Sequence, residues 1–361
     1  MPKQSVALIY ASLPPPVGGI ASIVAMLHQN LAERSDVFFV SPMAKDAKVF
    51  AKIYRPLLNL VKLAIAIARV RKDGRILFFS SAGNSFFEKI LWALLVIVMG
   101  RKPIVVMVDG NFPSFWDKCH PILKKVSAQI LCNPQLVLGA QSEGWQNYYR
   151  SIFPSAGIKI VGATVAPEFF EHTRAENSAL RKLTIVYVGW IIEEKGIIDL
   201  LDAMAILRAT HPEARLRIVG PLFGKEDYWK RASSDRGVSA QVEYVGSVSD
   251  RQRLMREFDA ASIFVFPSHF EGFPVALLEA ITMGLACVGT SVGGIPDILD
   301  HGKAGIVVAP KAPIELANAL KTLLDDHGLV EILSKQAAMR ARTAYSHSAC
   351  IEFYKNLLGL K

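Results

Sequence analysis

Two carboxylates eight residues apart, Glu271 and Glu279, stand in the densest run of chemistry-bearing residues, FPSHFEGFPVALLEAITMGLACVGTSVGGIPDIL from Phe266 to Leu299. An apolar strand, Ile263–Phe266, ends at Pro267-Ser268, and a turn with Glu271 and Gly272 follows. Pro274 falls where a helix begins, the first-turn position that proline favours. The free backbone N–H groups of such a helix start form an anion site that suits a diphosphate. Glu279 lies inside that helix. A carboxylate beside a phosphate site repels the phosphate, so its natural partners are sugar hydroxyls. A strand at Ala286–Gly289 then leads to Gly293-Gly294, where backbone is expected to approach a ligand closely.

The elements that must position these residues alternate short β-rich runs with longer helical ones, the pattern of parallel α/β architecture. In the first half, strands are expected at Val6–Tyr10, Val37–Val40, Ile76–Phe79, Ile104–Val108 and Leu136–Ala140. Helices are expected at Ile20–Glu33, Ile53–Val70, Phe86–Met99 and Glu143–Ser151. The second half restarts at Thr184–Val188 and continues with Leu216–Val219, Val242–Val245, Ile263–Phe266, Ala286–Gly289 and Ile306–Val308. Its helices are expected at Ile197–Arg208, Arg251–Asp259, Val275–Met283, Pro313–Asp325 and Leu329–Thr343, with a terminal helix over Ile351–Leu358. Near-continuous apolar strands read as buried on both faces. The polar stretch His172–Arg181 reads as a linker. The expected organisation is a first domain at 1–171, a linker at 172–181, a second domain at 182–345, and a final segment, 346–361, packing back on the first domain. Ligands of open α/β sheets bind beyond the carboxyl ends of the strands, so two such domains facing each other would make a cleft.

The Phe266–Leu299 segment resembles the E-x7-E signature of retaining nucleotide-sugar glycosyltransferases of the GT-B fold, family 4. The match is carried by Glu271, Gly272-Phe273-Pro274, Glu279 and Gly293-Gly294-Ile295-Pro296-Asp297. The run from Val188 through Gly189, Trp190 and Lys195 to Gly196 is similar to that family's G-R-x-x-x-x-K-G turn. Val219-Gly220-Pro221 and Val245-Gly246-Ser247-Val248 are similar to the turns that flank the nucleotide base. Pro16-Val17-Gly18-Gly19-Ile20 is similar to its glycine-rich loop. The resemblance implies two doubly wound Rossmann-like domains facing a central cleft, a basic acceptor-binding first domain and a nucleotide-sugar-binding second one. It implies that Glu271 meets the donor sugar, Glu279 the ribose and Lys195 the diphosphate. It also implies donor contacts at Gly18, Gly19, Gly189, Trp190, Gly220, Gly246, Ser247, Val248, Gly272, Phe273 and Pro274. Two departures stand out: Trp190 replaces the arginine, and Asp109 occupies the place of a histidine facing the sugar. Asp109 is therefore counted with Glu271 and Lys195 as a catalytic candidate. The implied reaction retains anomeric configuration, and the departing diphosphate itself takes the acceptor's proton. Positioning and diphosphate stabilisation are then the protein's main tasks.

Charge points to a partner on one side of the chain. Residues 45–102 hold 12 basic and 3 acidic residues, whereas residues 181–361 hold 21 of each. A basic segment with apolar helices suits an anionic surface, and Lys52, Arg55, Lys62 and Arg69 are its expected membrane or acceptor face. The alternative is that these helices simply cover the first sheet. The expected acceptor is a glycan or lipid-linked sugar at the inner face of the cytoplasmic membrane, in surface-polysaccharide synthesis, with the protein itself cytoplasmic and peripheral. The donor is expected to be UDP- or GDP-linked. No D-x-D triplet or H-x-x-x-H pattern is present, so no metal or cofactor is expected. The four cysteines, with no C-x-x-C spacing, fit a reducing compartment. No aromatic stacking platform or recognition motif for nucleic acid is found, and G-x-G-x-x-G, the mark of a dinucleotide oxidoreductase, is absent. A catalytically weak GT-B protein that binds a nucleotide sugar or a partner subunit is the second reading, motivated by Trp190 and Asp109.

Overall fold

The computed structural model describes residues 5–11, 19–41, 51–174 and 183–360. The chain divides into two compact units, Met1–Thr164 with His347–Lys361, and Val165–Ser346.

The first unit is built on a parallel sheet in the order β2-β1-β3-β4-β5-β6. Its strands are β1 Ser5–Tyr10, β2 Val37–Val40, β3 Val70–Ser80, β4 Lys102–Met107, β5 Val137–Ala140 and β6 Gly157–Ile160. Helices α1 Gly19–Leu31, α2 Ala51–Arg69, α3 Asn84–Val98, α4 Phe112–Lys118, α5 Pro121–Leu131 and α6 Glu143–Ile152 connect them. Alternation along the strands divides the core in two. Leu8, Tyr10, Ile76, Phe78, Val105, Met107 and Leu138 point to one face, where α2, α3, α4 and α6 bring Leu63, Ile67, Phe86, Trp92, Phe112 and Tyr149. Ala7, Ile9, Leu77, Ile104 and Val106 point to the other, covered by Val24 and Leu27 of α1 and by the last helix of the chain.

The second unit holds β7 Thr184–Val188, β8 Arg215–Val219, β9 Val242–Gly246, β10 Ile263–Phe266, β11 Ala286–Thr290 and β12 Ile306–Val308. They form a parallel sheet in the order β12-β11-β10-β7-β8-β9. Helices α7 Pro167–Glu171, α8 Ile197–Leu207, α9 Glu226–Asp235, α10 Arg251–Asp259, α11 Val275–Thr282, α12 Ile295–Ile298, α13 Pro313–Asp325 and α14 His327–Ala344 belong to it. The last helix, α15 His347–Leu358, belongs to the first unit.

The strand order places the chemistry. From β7 the chain winds outward through β8 and β9, then returns to the far side of β7 for β10, β11 and β12. The reversal falls between β7 and β10, and an open parallel sheet takes its ligands outside the carboxyl ends of the strands at such a point. Ile263 pairs with Ile185 and Phe264 with Val186, so the two strands end level. Lys195 follows one of them and Glu271 the other.

Candidate functional site

At the exit of β7 the chain makes a tight turn, Glu193–Lys195, closed by Gly196 at φ 71°. A side chain at Gly196 would bring its Cβ within 2.0 Å of the Pro267 carbonyl oxygen, so only glycine lets this turn press against the exit of β10. Lys195 is thereby carried to Glu271. Its Nζ lies 2.5 Å from Glu271 Oε1 and 3.3 Å from the Phe270 carbonyl. The fully buried Ser268 donates its hydroxyl to the same Oε1 at 2.9 Å, and Thr290 donates to the Ser268 carbonyl at 2.6 Å. Glu271 is thus aimed by groups on β7's exit, β10's exit and β11.

The Gly293-Gly294 pair packs directly on this turn. Gly293 adopts φ 55°, and a Cβ there would stand 2.0 Å from the Glu271 carbonyl oxygen. The Gly294 N–H donates to the Gly272 carbonyl at 2.9 Å. Phe273 is likewise a brace: its buried ring packs 5.7 Å from that of Tyr345. Pro274 is the N-cap of α11 and not its first-turn residue, and no side chain caps the helix start. The first turn carries no acid that would occupy or repel an anion there.

Glu279 keeps part of its side chain accessible, yet burial pushes its carboxyl up to about 8, opposed only by the nearby Arg251. At neutral pH it is largely protonated and can donate as well as accept a hydrogen bond. Arg251, at the start of α10, pairs with Glu168 of α7 at 3.0 Å. The exits of β7, β8 and β9 are laced by the Gly189 N–H to the Val219 carbonyl, 3.0 Å, and the Gly220 N–H to the Gly246 carbonyl, 2.9 Å. Ser247 is exposed and Val248 half-buried just beyond. Trp190 is 60% exposed and packs edge-to-face on Phe223, with ring centroids 5.8 Å apart. Its carbonyl accepts from the Tyr187 hydroxyl at 2.8 Å, which burial holds in its protonated form.

In the first unit, Asp109 accepts from the Ala82 N–H at 2.9 Å and from the Asn111 N–H at 2.8 Å. Both carboxylate oxygens therefore tie the loops that follow β3 and β4. Gly19 opens α1. Lys62 donates to the Ser41 carbonyl at 2.7 Å, and Arg69 is exposed at the end of α2. Gly18 and the side chains of Lys52 and Arg55 lie outside the described residues. Two partnerships escaped sequence reasoning. His269 Nε2 meets Asp199 Oδ2 at 2.5 Å, fastening α8 to the loop that carries Glu271, and Arg251 stands by Glu279. The position of His269 two residues before Glu271 was a signal for the first.

The fold is matched by known proteins, and one segment of the chain by a family model. Residues 168–340 fit the model of the family Glycosyl transferases group 1. A glycogen synthase of Mycobacterium tuberculosis is 32% identical over 158 residues, 43% of this chain and 37% of that protein. A D-inositol 3-phosphate glycosyltransferase of Pseudarthrobacter chlorophenolicus is 30% identical over 210 residues, 57% of this chain and 49% of that protein. The chain thus spans less than half the length of these relatives. Among solved structures, Anabaena HepE in complex with UDP superposes with TM-score 0.74 at 16% identity, covering 98% of this chain and 99% of that one. The sucrose-phosphate synthase of Thermosynechococcus elongatus gives 0.75 at 17% identity, with the same coverage. The fold is GT-B. Its two Rossmann-like units are built on the two six-stranded parallel sheets described above, and the family match falls wholly within the second of them.

Proposed function

We propose that the protein is a retaining glycosyltransferase of family 4, moving a sugar from a nucleoside diphosphate sugar to a glycan or lipid-linked acceptor in surface-polysaccharide synthesis. The observation that carries this reading is the Lys195–Glu271 pair, 2.5 Å apart, at the reversal point of a sheet whose segment fits the glycosyltransferase family. As the bond from the anomeric carbon to the diphosphate breaks, negative charge grows on the leaving oxygen. An ammonium and the uncapped N–H groups of α11, fixed before the reaction, favour that charge most in the transition state. Released from Lys195 by the incoming diphosphate, Glu271 accepts from donor-sugar hydroxyls, while Glu279 meets the ribose. The acceptor oxygen bonds to the anomeric carbon and its proton passes to the diphosphate oxygen that leaves. This chemistry asks for no resident metal. Asp109, whose oxygens are both taken by backbone N–H groups, acts in this reading by holding two loops. The neighbours described with UDP and UDP-glucose make UDP-sugars the first donors to try.

The membrane contact belongs to the same proposal. It is supported by an apolar outer face on the first unit: Leu58, Val61 and Ile65 of α2, Leu91, Leu94 and Val98 of α3, and Ile122, Leu123 and Val126 of α5 are all exposed. Exposed Lys62, Arg69, Lys118 and Lys125 border it. Exposed apolar residues ringed by cations match an anionic lipid surface, into which the apolar side chains insert.

The test is calorimetric titration of the wild type, Lys195→Ala and Glu271→Gln with UDP-, GDP- and ADP-sugars, followed by assays of transfer to membrane-lipid extracts. One nucleotide class binding the wild type, with transfer lost in both variants, supports the proposal. Binding without transfer to any acceptor favours a nucleotide-sugar-binding subunit, and no binding removes both readings.

A further inference from the structure

At the exit of β10, each residue from Pro267 to Glu271 is tied to the turn after β7 or to β11. Gly196 packs on the Pro267 carbonyl, and the Ser268 carbonyl accepts from Thr290. The His269 N–H donates to the Glu194 carbonyl at 3.0 Å, and the Phe270 carbonyl and the Glu271 carboxylate both accept from Lys195. One further tie runs to a helix. His269 Nε2 donates to Asp199 Oδ2 at 2.5 Å, and the two side chains are only 16% and 19% exposed. Asp199 stands in the first turn of α8, whose Leu200, Leu201, Met204 and Leu207 are buried, so it is a fixed point of the unit's core. Lys195 supplies two of these ties, and in the proposed reaction it leaves both when the diphosphate arrives. Glu271 must therefore be aimed at the sugar just as its loop loses the cation that held it. Of the ties that stay, the His269–Asp199 pair is the one between side chains of different elements.

We infer that His269 and Asp199 are positioning residues for donor-sugar recognition, a reading that rests on the proposed transferase activity. They form a second latch, independent of Lys195, that keeps the Glu271 loop in place once the diphosphate has drawn the ammonium away. A hydrogen bond between mostly buried partners suits this task, because little water competes for either of them. A carboxylate that reads sugar hydroxyls needs such a hold, since a misplacement of about 1 Å can cost as much as a hundredfold in rate. While Lys195 grips Glu271 the latch is redundant. With Lys195 on the diphosphate it is not. Loss of the latch therefore falls on the sugar and spares the nucleotide.

The experiment compares wild type with His269→Ala, Asp199→Ala, the double variant and His269→Gln, whose amide can place an N–H where the imidazole Nε2 stands. Calorimetric titration measures UDP against UDP-glucose, and GDP and ADP against their glucose forms, with the stoichiometry counting folded sites. Turnover of the sugar donor is followed alongside. Each single alanine variant is expected to lose about tenfold in nucleotide-sugar affinity, the usual weight of one hydrogen bond to a charged group, while nucleoside diphosphate affinity is unchanged. Turnover per site falls with the sugar. The double variant is no worse than either single one, because the pair acts as a unit, and glutamine recovers most of the loss. A merely structural role would lower the melting temperature and the number of sites without moving the ratio of the two affinities. An unchanged ratio, additive losses in the double variant, or a glutamine variant no better than alanine overturns the inference. Each leaves the transferase reading standing as long as the wild type binds a nucleotide sugar. Failure of every nucleotide to bind the wild type removes that reading, and the latch with it.

Discussion

Lys195 and Glu271 neutralise each other across 2.5 Å until a ligand brings its own charge and hydroxyls. Removing either leaves the other facing the ligand without its partner. Lys195→Ala is expected to lower transfer by about a hundredfold to a thousandfold, the usual cost of one fixed donor to a developing negative charge, with a smaller loss in donor affinity. Steady-state kinetics resolve the two effects, and an unchanged rate would refute the role of the ammonium. Glu279 gives a prediction in stability. Its carboxyl sits at about 8 in the folded protein against 4.5 when free, so between those values the folded chain keeps a proton that the unfolded chain has lost. Stability from this group therefore falls as pH rises from 4.5 to 8 and levels off above. Glu279→Gln removes that slope. The variant gains about 1–2 kcal/mol over wild type at pH 8–9 and nothing near pH 4, the gain being moderated by the water that reaches the side chain. Denaturant unfolding at both pH values checks the sign. The local sequence singled out Glu271 and Glu279 because a turn and a helix start lie beside them, whereas Lys195, 76 positions away, entered through the family resemblance. It hid the His269–Asp199 and Arg251–Glu168 partnerships, whose members are separated by 70 and 83 positions and meet only when the sheet forms.

The apolar strands of the second sheet were legible almost to the residue: β7 and β10, inside the sheet, have their expected bounds because burial on both faces leaves an apolar run, and the edge strand β12 has them too because its three residues are all β-branched and apolar. Strand β6, Gly157–Ile160, was missed because an edge strand is buried on neither face, and most of its side chains are exposed. Helix α9, EDYWKRASSD, was missed because it buries only Trp229, Ala232 and Ser233 and is otherwise polar. Helices α4 and α5 follow each other with only two residues between them, too close for periodicity to part. The outer faces of α2, α3 and α5 carry their own prediction. Val61→Ser with Val98→Ser is expected to weaken binding to vesicles with anionic lipid severalfold, with Lys62→Glu and Arg69→Glu lowering it further. Flotation with neutral and anionic vesicles measures both, and equal binding to the two vesicle types would remove the electrostatic part. Sequence charge located this face, but its aliphatic membership emerged only once the buried side of each helix was known.

For the molecule as a whole, the GT-B architecture was legible because β-rich and helical runs alternate twice with a restart near Thr184. The boundary was harder. α7 lies with the second unit, and the polar stretch read as a linker falls largely outside the described residues. Chelation should leave transfer unchanged, since the proposed chemistry draws its positive charge from Lys195 and backbone N–H groups. Loss of activity in EDTA, restored by Mg²⁺, would require a metal in the reaction. The terminal helix offers a test of stability. Cys350, Ile351, Tyr354, Leu357 and Leu358 are buried against the first sheet, and Arg75 donates to the carbonyls of Asn356 and Leu357. Ending the chain at Ser346 should destabilise the first unit by several kcal/mol and leave the second protected, as limited proteolysis would show.

That same helix sets an order in time. A ribosome releases the chain from its first residue, so β1, β3 and β4 emerge early, yet the helix that completes one face of their sheet comes last. About 180 residues of the second unit must be synthesised in between. At bacterial and eukaryotic elongation rates that is on the order of ten to forty seconds during which Ala7, Ile9, Leu77 and Ile104 lack part of their cover. The nascent protein therefore finishes its second unit before its first, and holdase chaperones have a defined apolar face to guard until the last turn of helix is made.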